Sequence, residues 1–358
     1  MHTIKVVAPP EARSLIVSAL DRFNSKNIQL SNGVVARASS TSFDDLSALD
    51  KIGTIGVPAN LWIAPFTALA AVVKRPTTSD ITIADCSSLM SSRLGVAYRQ
   101  IDEFSLPKRD QGIPAQQLFT PASEAQQAPY LILGAPRLTS AGILSALVAT
   151  AASTSTPLAS LTPAIISNKN LQIKKTQERV RNYYLSDVET LMGLSNREGG
   201  ESLVAITTEQ GFNAHKGFHP SSTLYFAPLS SPSAVIDYPL CSIVNKGDSA
   251  QDIEAVKALR LFFASDEFKS LLPSNGFNQP VTSSDSTGAN LGATANEILK
   301  QWPLLRRPSL TVFVIDASIK TDRTSLETIR REIKLFIEGR PSQNDAVALI
   351  AASSTPEI

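Results

Sequence analysis

Between residues 130 and 148 the hydrophobic pattern changes period, and this change constrains the fold more than any other stretch. Tyr130-Leu131-Ile132-Leu133 is an apolar run of the length of a buried strand. Gly134 to Thr139 is turn chemistry, and Pro136 bars helix until the chain has turned. From Ser140 the period becomes helical, with Ile143, Leu144, Leu147 and Val148 on one face. Thr139 or Ser140 is a natural N-cap, and Ala141 and Gly142 leave the amides of the first turn uncovered. A helix that starts this way offers N–H donors and a positive dipole end to an anion. The same residues also describe an ordinary strand–turn–helix unit, so the rest of the chain has to decide.

With 358 residues, 43% hydrophobic and 18% charged, the chain is long enough for two or three packed domains. Lys+Arg 33 against Asp+Glu 32 leaves it near neutral, which argues against nucleic acid or acidic membrane as the main partner. No apolar run reaches the roughly 18 residues that a membrane-spanning helix needs. Ile143 to Leu161 comes nearest and is diluted by Ser, Thr and Pro157. A strand begins almost at Thr3, so no signal peptide is expected within this chain. Nucleotide loops of the Gly-x-x-x-x-Gly-Lys or Gly-x-Gly-x-x-Gly type and a Gly-x-Ser-x-Gly elbow are missing. His2, His215 and His219 are too few for a metal site, and Gly217 and Pro220 spoil the helical spacing of the last two. The expectation is no enzyme, no cofactor and no metal.

In chain order, Ile4 to Val7 reads as a strand, and Pro9-Pro10 opens a helix whose apolar face is Ala12, Leu15, Ile16, Ala19, Leu20 and Phe23. Gly33 to Ala38 reads as a second strand, followed by the polar loop Ser39-Ser40-Thr41-Ser42. Asn60-Leu61-Trp62-Ile63-Ala64-Pro65-Phe66-Thr67 ends a strand before a helix over Ala68 to Val73. Residues 99–129 read as a surface connection, and Gln172 to Leu194 as one helix bearing Tyr183-Tyr184 on its surface. Leu203 to Thr207 is a strand leading into Thr208-Glu209-Gln210; Asp237-Tyr238-Pro239-Leu240 precedes a strand from Cys241 to Val244. Asp252 to Ala264 is an amphipathic helix, and Gly276-Phe277-Asn278-Gln279-Pro280 follows a second one opened by Ser265. Val281 to Ala295 has the composition of a linker.

Taken together and in this order, these pieces resemble type II periplasmic-binding proteins of the molybdate/sulfate-like superfamily. The stretch 131–148 is similar to the strand, loop and helix whose hydroxyls and amides bind an oxyanion there. Ile83-Ala84-Asp85-Cys86-Ser87-Ser88-Leu89-Met90 resembles the segment that crosses to the second lobe, and Asp237-Tyr238-Pro239-Leu240 the one that returns. Asn60, Phe66 and Thr67 depart from the family's Asp and serines, and Ser88 stands where proline is usual. Beyond the linker, Leu310 to Ile315, Asp316-Ala317-Ser318-Ile319-Lys320, a helix with Leu326, Ile329, Ile333 and Phe336 inward, and a strand over Ala346 to Ala352 resemble the first β-α-β of a von Willebrand factor A domain. Lys320 there replaces a metal-site serine, so no bound Mg²⁺ is expected. This piece is too short to bury a core of its own, so it is either part of a larger domain or docked on the lobes.

The resemblance implies an α/β, two-lobed type II periplasmic-binding-protein fold with a cleft and two crossing hinge segments. A C-terminal β-α-β fragment of a von Willebrand factor A-like fold would follow it. Lobe I would comprise residues 1–92 with 238–300, lobe II residues 93–237, and the partial von Willebrand-like unit residues 301–358. The implied ligand-binding residues are Ser40, Thr67, Ser87, Arg137, Thr139, Ser140, Gly142, Glu209 and Tyr238. The implied ligand is a small molecule or oxyanion, with Arg137 favouring an anion if it points into the cleft. A membrane transporter or envelope protein is the expected partner, and the location extracytoplasmic, with an export signal or lipid anchor removed upstream. Side-by-side crossing segments would bring Cys86 and Cys241 near each other, but the demanding geometry of a bridge favours two free buried thiols. The competing reading is a scaffold or interaction protein that keeps the fold without a ligand.

Overall fold

The computed structural model describes residues 1–42, 59–67, 81–99, 112–119, 129–136, 139–184, 186–196, 202–231, 234–281, 291–306, 308, 310–316, 323–338 and 345–352. Its contacts divide the chain into two units, Met1–Lys300 and Gln301–Ile358. In the first unit β1 (His2–Ala8) is flanked by β2 (Ala36–Ser42) and β3 (Leu61–Ile63), both parallel to it. Helix α1 (Arg13–Ser25) connects β1 to β2 and buries Leu15, Ile16, Ala19, Leu20 and Phe23, the apolar stripe expected of it. β2 starts later than Gly33 because the chain turns first, with Gly33 at φ 77°, a conformation that favours glycine.

The 19-residue strand β4 (Ile81–Arg99) connects two regions of the sheet. Its first part pairs antiparallel with β10 (Val235–Asn245), from Ile81 opposite Asn245 to Arg93 opposite Val235. From Leu94 onward it pairs with β8 (Leu203–Thr208) and β9 (Leu224–Ser231). Between them the chain forms β5 (Ile113–Pro114), α2 (Ala115–Phe119), β6 (Tyr130–Gly134) and α3 (Ser140–Thr154). It continues through α4 (Pro163–Asn168), α5 (Asn170–Gln177), β7 (Val180–Tyr184), α6 (Asp187–Ser195) and, after β8, α7 (Glu209–Phe218). The strand order is β2-β1-β3-β10-β4-β8-β6-β7, with β9 added beside β4 and β5 beside β9. α8 (Ala250–Ala264), closed at its start by a Ser249–Asp252 capping box, and the short α9 (Asp266–Lys269) complete this region.

α3 is the central helix of the unit. Every residue from Ser140 to Ala152 is buried, so it has no polar face and is enclosed on all sides. That goes beyond the single apolar face expected from Ile143, Leu144, Leu147 and Val148.

Several expectations need correction. Ser39 to Ser42 are not a loop but the second half of β2, paired with β1, and within residues 99–129 Ile113, Leu118 and Phe119 are buried and not part of a surface connection. Gln172 to Leu194 is not one helix: α5 stops at Gln177, and Val180–Tyr184 pairs in parallel with β6. The β-prone end Val180-Arg181-Asn182-Tyr183-Tyr184 gains more from joining the sheet than from helix, and Ser186 then caps α6 by accepting from the Glu189 amide. Tyr183 thus lies on a strand and donates to Gln177 Oε1 at 2.8 Å. The linker also ends early, because Gly292–Leu305 is helix α10, with Leu291, Ala295 and Ile298 buried and Thr294 bonded to the Leu161 carbonyl. Finally, Cys86 and Cys241 are not free thiols; they form a disulfide between β4 and β10. The bridge lies where the two strands slip register, between the pairs Leu240–Ser87 and Ser242–Ala84, and Asp85 takes φ 52°.

In the second unit β11 (Leu310–Asp316) and β12 (Ala346–Ala352) pair in parallel, joined through α11 (Arg323–Glu338). Leu326, Ile329 and Ile333 of α11 are partly buried, while Leu310, Val312 and Val314 on one face of β11 are exposed. Arg306 pairs with Asp345 just before β12. Ser318 and Lys320 lie outside the described residues, as does the helix expected over Ala68 to Val73.

Candidate functional site

α3 starts on Thr139, whose hydroxyl accepts from the Gly142 amide at 2.9 Å. This confirms Thr139, not Ser140, as the N-cap. Glycine at 142 is a matter of space: a Cβ there would stand 2.5 Å from the Gly134 carbonyl oxygen and 2.7 Å from the Ala135 carbonyl carbon. The Ser140 hydroxyl is left to point outward, and it donates to Glu11 Oε1 at 3.1 Å. Glu11 belongs to the single 3₁₀ turn Pro10–Ala12 that follows β1. A carboxyl of the chain itself thus stands at the start of α3.

A second helix start is occupied in the same way. Asp187, the first residue of α6, places Oδ2 against the N-cap of α7, accepting from the Thr208 amide at 3.2 Å and its hydroxyl at 2.8 Å. A Cβ on Gly211 in the first turn of α7 would lie 2.6 Å from this oxygen. Gln210, next in that turn, joins the two groups. Its amide nitrogen Nε2 donates to the Glu11 carbonyl at 3.0 Å, and its backbone N–H donates to Ser92 Oγ at 3.0 Å. Tyr238, on β10, is fully buried beside them.

Glu11, Ser140, Asp187, Gln210 and Tyr238 thus come from five separate elements and meet at one place. Burial raises the Glu11 carboxyl to about 7; the charge of Asp187 adds to this, and hydrogen bonds including that from Ser140 oppose it. Burial likewise raises Asp187 against the hydrogen bonds from Thr208 and Thr207. The Tyr238 hydroxyl is pushed well above its ordinary value, first by burial and then by the charges of Glu11 and Asp187. Gln210 Oε1 is buried without a hydrogen-bond partner, while the Tyr238 hydroxyl and Asp187 Oδ1 have only loosely placed neighbours, the Glu11 carboxyl and the Thr207 hydroxyl. Among the described residues no lysine or arginine is paired with Glu11 or Asp187.

The other residues singled out in the sequence lie apart from this cluster or flank it. Thr67 and Ser88 both donate to the carboxyl of Asp237, whose pKa burial raises. Glu209 is held by Arg93 through two bonds of 2.8 and 2.5 Å and by Asn278 at 3.0 Å; the Arg93 contact leads in lowering its pKa. Ser40 lies on β2 opposite Val6. Ser87 is exposed and accepts from Arg260 at 3.3 Å, opening on a cavity of about 660 Å³ beside α8. Arg137 lies outside the described residues. His215 and His219 lie with ring centres 4.9 Å apart and planes tilted by 41°, and among the described residues no group of three His, Cys, Asp or Glu side chains is arranged to hold a metal.

Glu11, Asp187 and Gln210 are the residues that sequence reading passed over. Ser186-Asp187-Val188-Glu189 carries a capping pattern that marks a helix start, and it was available as a signal. Glu11 had only its place just after a strand end to distinguish it.

No family model and no curated protein matches the chain. Solved structures do. A periplasmic thiamin binding protein superposes with a TM-score of 0.55 at 11% identity, over 84% of this chain and 93% of that one. Iron-bound HitA from Pseudomonas aeruginosa gives 0.53 at 15% identity, over 84% and 98%. The sulfate-binding protein SubI from Mycobacterium tuberculosis H37Rv gives 0.51 at 16%, over 82% and 91%. The chain has the periplasmic-binding-protein fold. At these identities the likeness is one of fold. The von Willebrand-like reading of the second unit finds no counterpart in these matches.

Proposed function

We propose that this chain is an extracytoplasmic solute-binding protein that holds a small ligand between two lobes and presents it to a membrane transporter. Lobe I would comprise residues 1–92 with 238–300 and lobe II residues 93–237, with β4 and β10 as the crossing segments. The unit 301–358 would be a von Willebrand factor A-like β-α-β piece used for protein contact. The observation that carries the reading is the meeting of Glu11 and Tyr238 from the first lobe with Ser140, Asp187 and Gln210 from the second, with buried polar atoms left over. Buried unpaired oxygens are costly in a folded protein and are what a ligand's polar groups would satisfy. Thr139 and Gly142 would hold the start of α3 in place, and Thr67 and Glu209 would brace the crossing segments without touching ligand.

The Cys86–Cys241 disulfide supports an oxidising, extracytoplasmic compartment. No helix of the described residues is long and apolar enough to cross a membrane. The test is thermal unfolding of the full chain against a panel of amines, amino acids, sugars and oxyanions. A binding protein gains melting temperature with one class of solute, according to the ratio of concentration to Kd. A flat response over the whole panel, with Ser140→Ala and Tyr238→Phe indistinguishable from wild type, rejects the reading.

A further inference from the structure

We infer that the ligand carries an ammonium group, held by Glu11, Asp187 and the Gln210 side-chain carbonyl. This deepens the solute-binding reading and rests on it. The first ground is that both helix starts at the site are already supplied with negative charge. Glu11 accepts from Ser140 at the start of α3, and Asp187 accepts from Thr208 at the start of α7. An oxyanion entering here would find the Ser140 hydroxyl and the Thr208 amide and hydroxyl already taken and two carboxyls facing it. The second ground is independent of charge. Gln210 Oε1 is a buried, unpartnered oxygen that can only accept, with Gln210 only 5% exposed, and Asp187 Oδ1 has the Thr207 hydroxyl as its one, loosely placed donor. They call for N–H or O–H donors from a ligand. Among the described residues no lysine or arginine supplies the positive charge that two neighbouring carboxyls require. An ammonium group answers both needs, since it is cationic and carries only donors.

The buried hydroxyl of Tyr238 offers a further contact. It faces the same two carboxyls and can accept from an ammonium N–H or lie against its alkyl part.

Proton exchange gives a second readout. The groups around the Glu11 carboxyl are Asp187 from α6, Tyr238 from β10, Ser140 from α3 and Gln210 from α7, of which only the first two titrate and both are acidic. With its pKa near 7, Glu11 is largely protonated in the free protein at pH 6 and largely ionised at pH 8. A cation must displace that proton, so its affinity rises about tenfold from pH 6 to pH 8, and protons are released on binding at the lower pH.

The experiment is calorimetry on the full chain with 1,4-diaminobutane, agmatine, arginine, lysine and ethanolamine as ammonium probes. 1,4-Butanediol and glucose serve as neutral probes, and sulfate, phosphate and acetate as anions. The expected result is binding by at least one ammonium probe and by no anion, stronger at pH 8 than at pH 6. Glu11→Gln and Asp187→Asn should each weaken it by about tenfold or more, the scale of one charge-assisted hydrogen bond. Glu11→Gln should also abolish the pH dependence, a change that mere loss of packing would not produce. If a neutral probe or an anion binds and the ammonium probes do not, the charge inference is overturned and the solute-binding reading stands. Silence from all three classes overturns both.

Discussion

Breaking the Cys86–Cys241 bridge should destabilise the first unit substantially. The two cysteines are 155 residues apart, so the bridge closes a loop containing most of β4 and everything through the start of β10. For a loop of that length the chain-entropy relation removes about 17 cal/mol/K from the unfolded state, or about 5 kcal/mol at 25 °C. The folded state changes less, because β4 and β10 remain paired along most of their length without the bridge. Cys241 is fully buried and Cys86 exposed, so a reductant reaches the bond from the Cys86 side. Two assays check this. Thiol titration of the denatured, unreduced protein should find no free thiol, and titration after reduction should find two. Urea unfolding of the Cys86→Ala/Cys241→Ala variant should then show a midpoint lower by roughly 1–2 M, for an m-value of about 3 kcal/mol/M. Two thiols titrating without reductant would refute the bridge. A bridge confirmed by titration but a midpoint unmoved by its removal would refute the loop-entropy reasoning.

Gly142→Ala should cost about 1–3 kcal/mol, because its Cβ would press on the Gly134 and Ala135 backbone; an unchanged melting temperature would mean that this turn yields easily. Glu11→Gln should stabilise the ligand-free protein at pH 8 and leave it unchanged near pH 4. The sign follows from a folded-state pKa raised from 4.5 to about 7: ionising Glu11 opposes folding, so stability is lost as pH rises through that window, by about 3 kcal/mol in all. Urea midpoints at the two pH values test it. For Glu209 the sign is reversed, since Arg93 lowers its pKa; its contribution is present at neutral pH and fades as acid protonates it. Arg93 is about half exposed, so Arg93→Met should cost only about 0.5–1 kcal/mol at pH 7 and less at pH 3, as read by thermal unfolding.

Much of the frame could be read from local pattern. The apolar stripe of α1, the Thr139 cap and the change of period at Ser140 follow from short-range rules of propensity, capping and spacing. Long-range pairing was harder. Val180–Tyr184 becomes a strand because β6 lies beside it, and no feature of the segment alone reports that neighbour. The resemblance brought Cys86 and Cys241 near each other, but nothing in the sequence reported that their backbone geometry suits a bridge. At the site, Ser140 and Tyr238 stood in recognisable motifs. Glu11 and Asp187 gain their importance from burial and from each other's charge, properties that depend on distant elements converging.

The place of β10 in the sheet sets a timetable for synthesis. β3, which ends at Ile63, lies between β1 and β10, and its pairing partners in β10 are Leu240 to Ser242. At about 5–20 residues per second, the ribosome needs roughly 10–35 s to make the intervening chain. During that interval the apolar side of β3, Leu61 to Ile63, has no partner on one edge. A nascent chain in this state is a ready substrate for a holding chaperone and a poor candidate for early folding. The intervening segment, by contrast, carries β6, β7, β8 and α3 and can assemble most of its own sheet before β10 emerges.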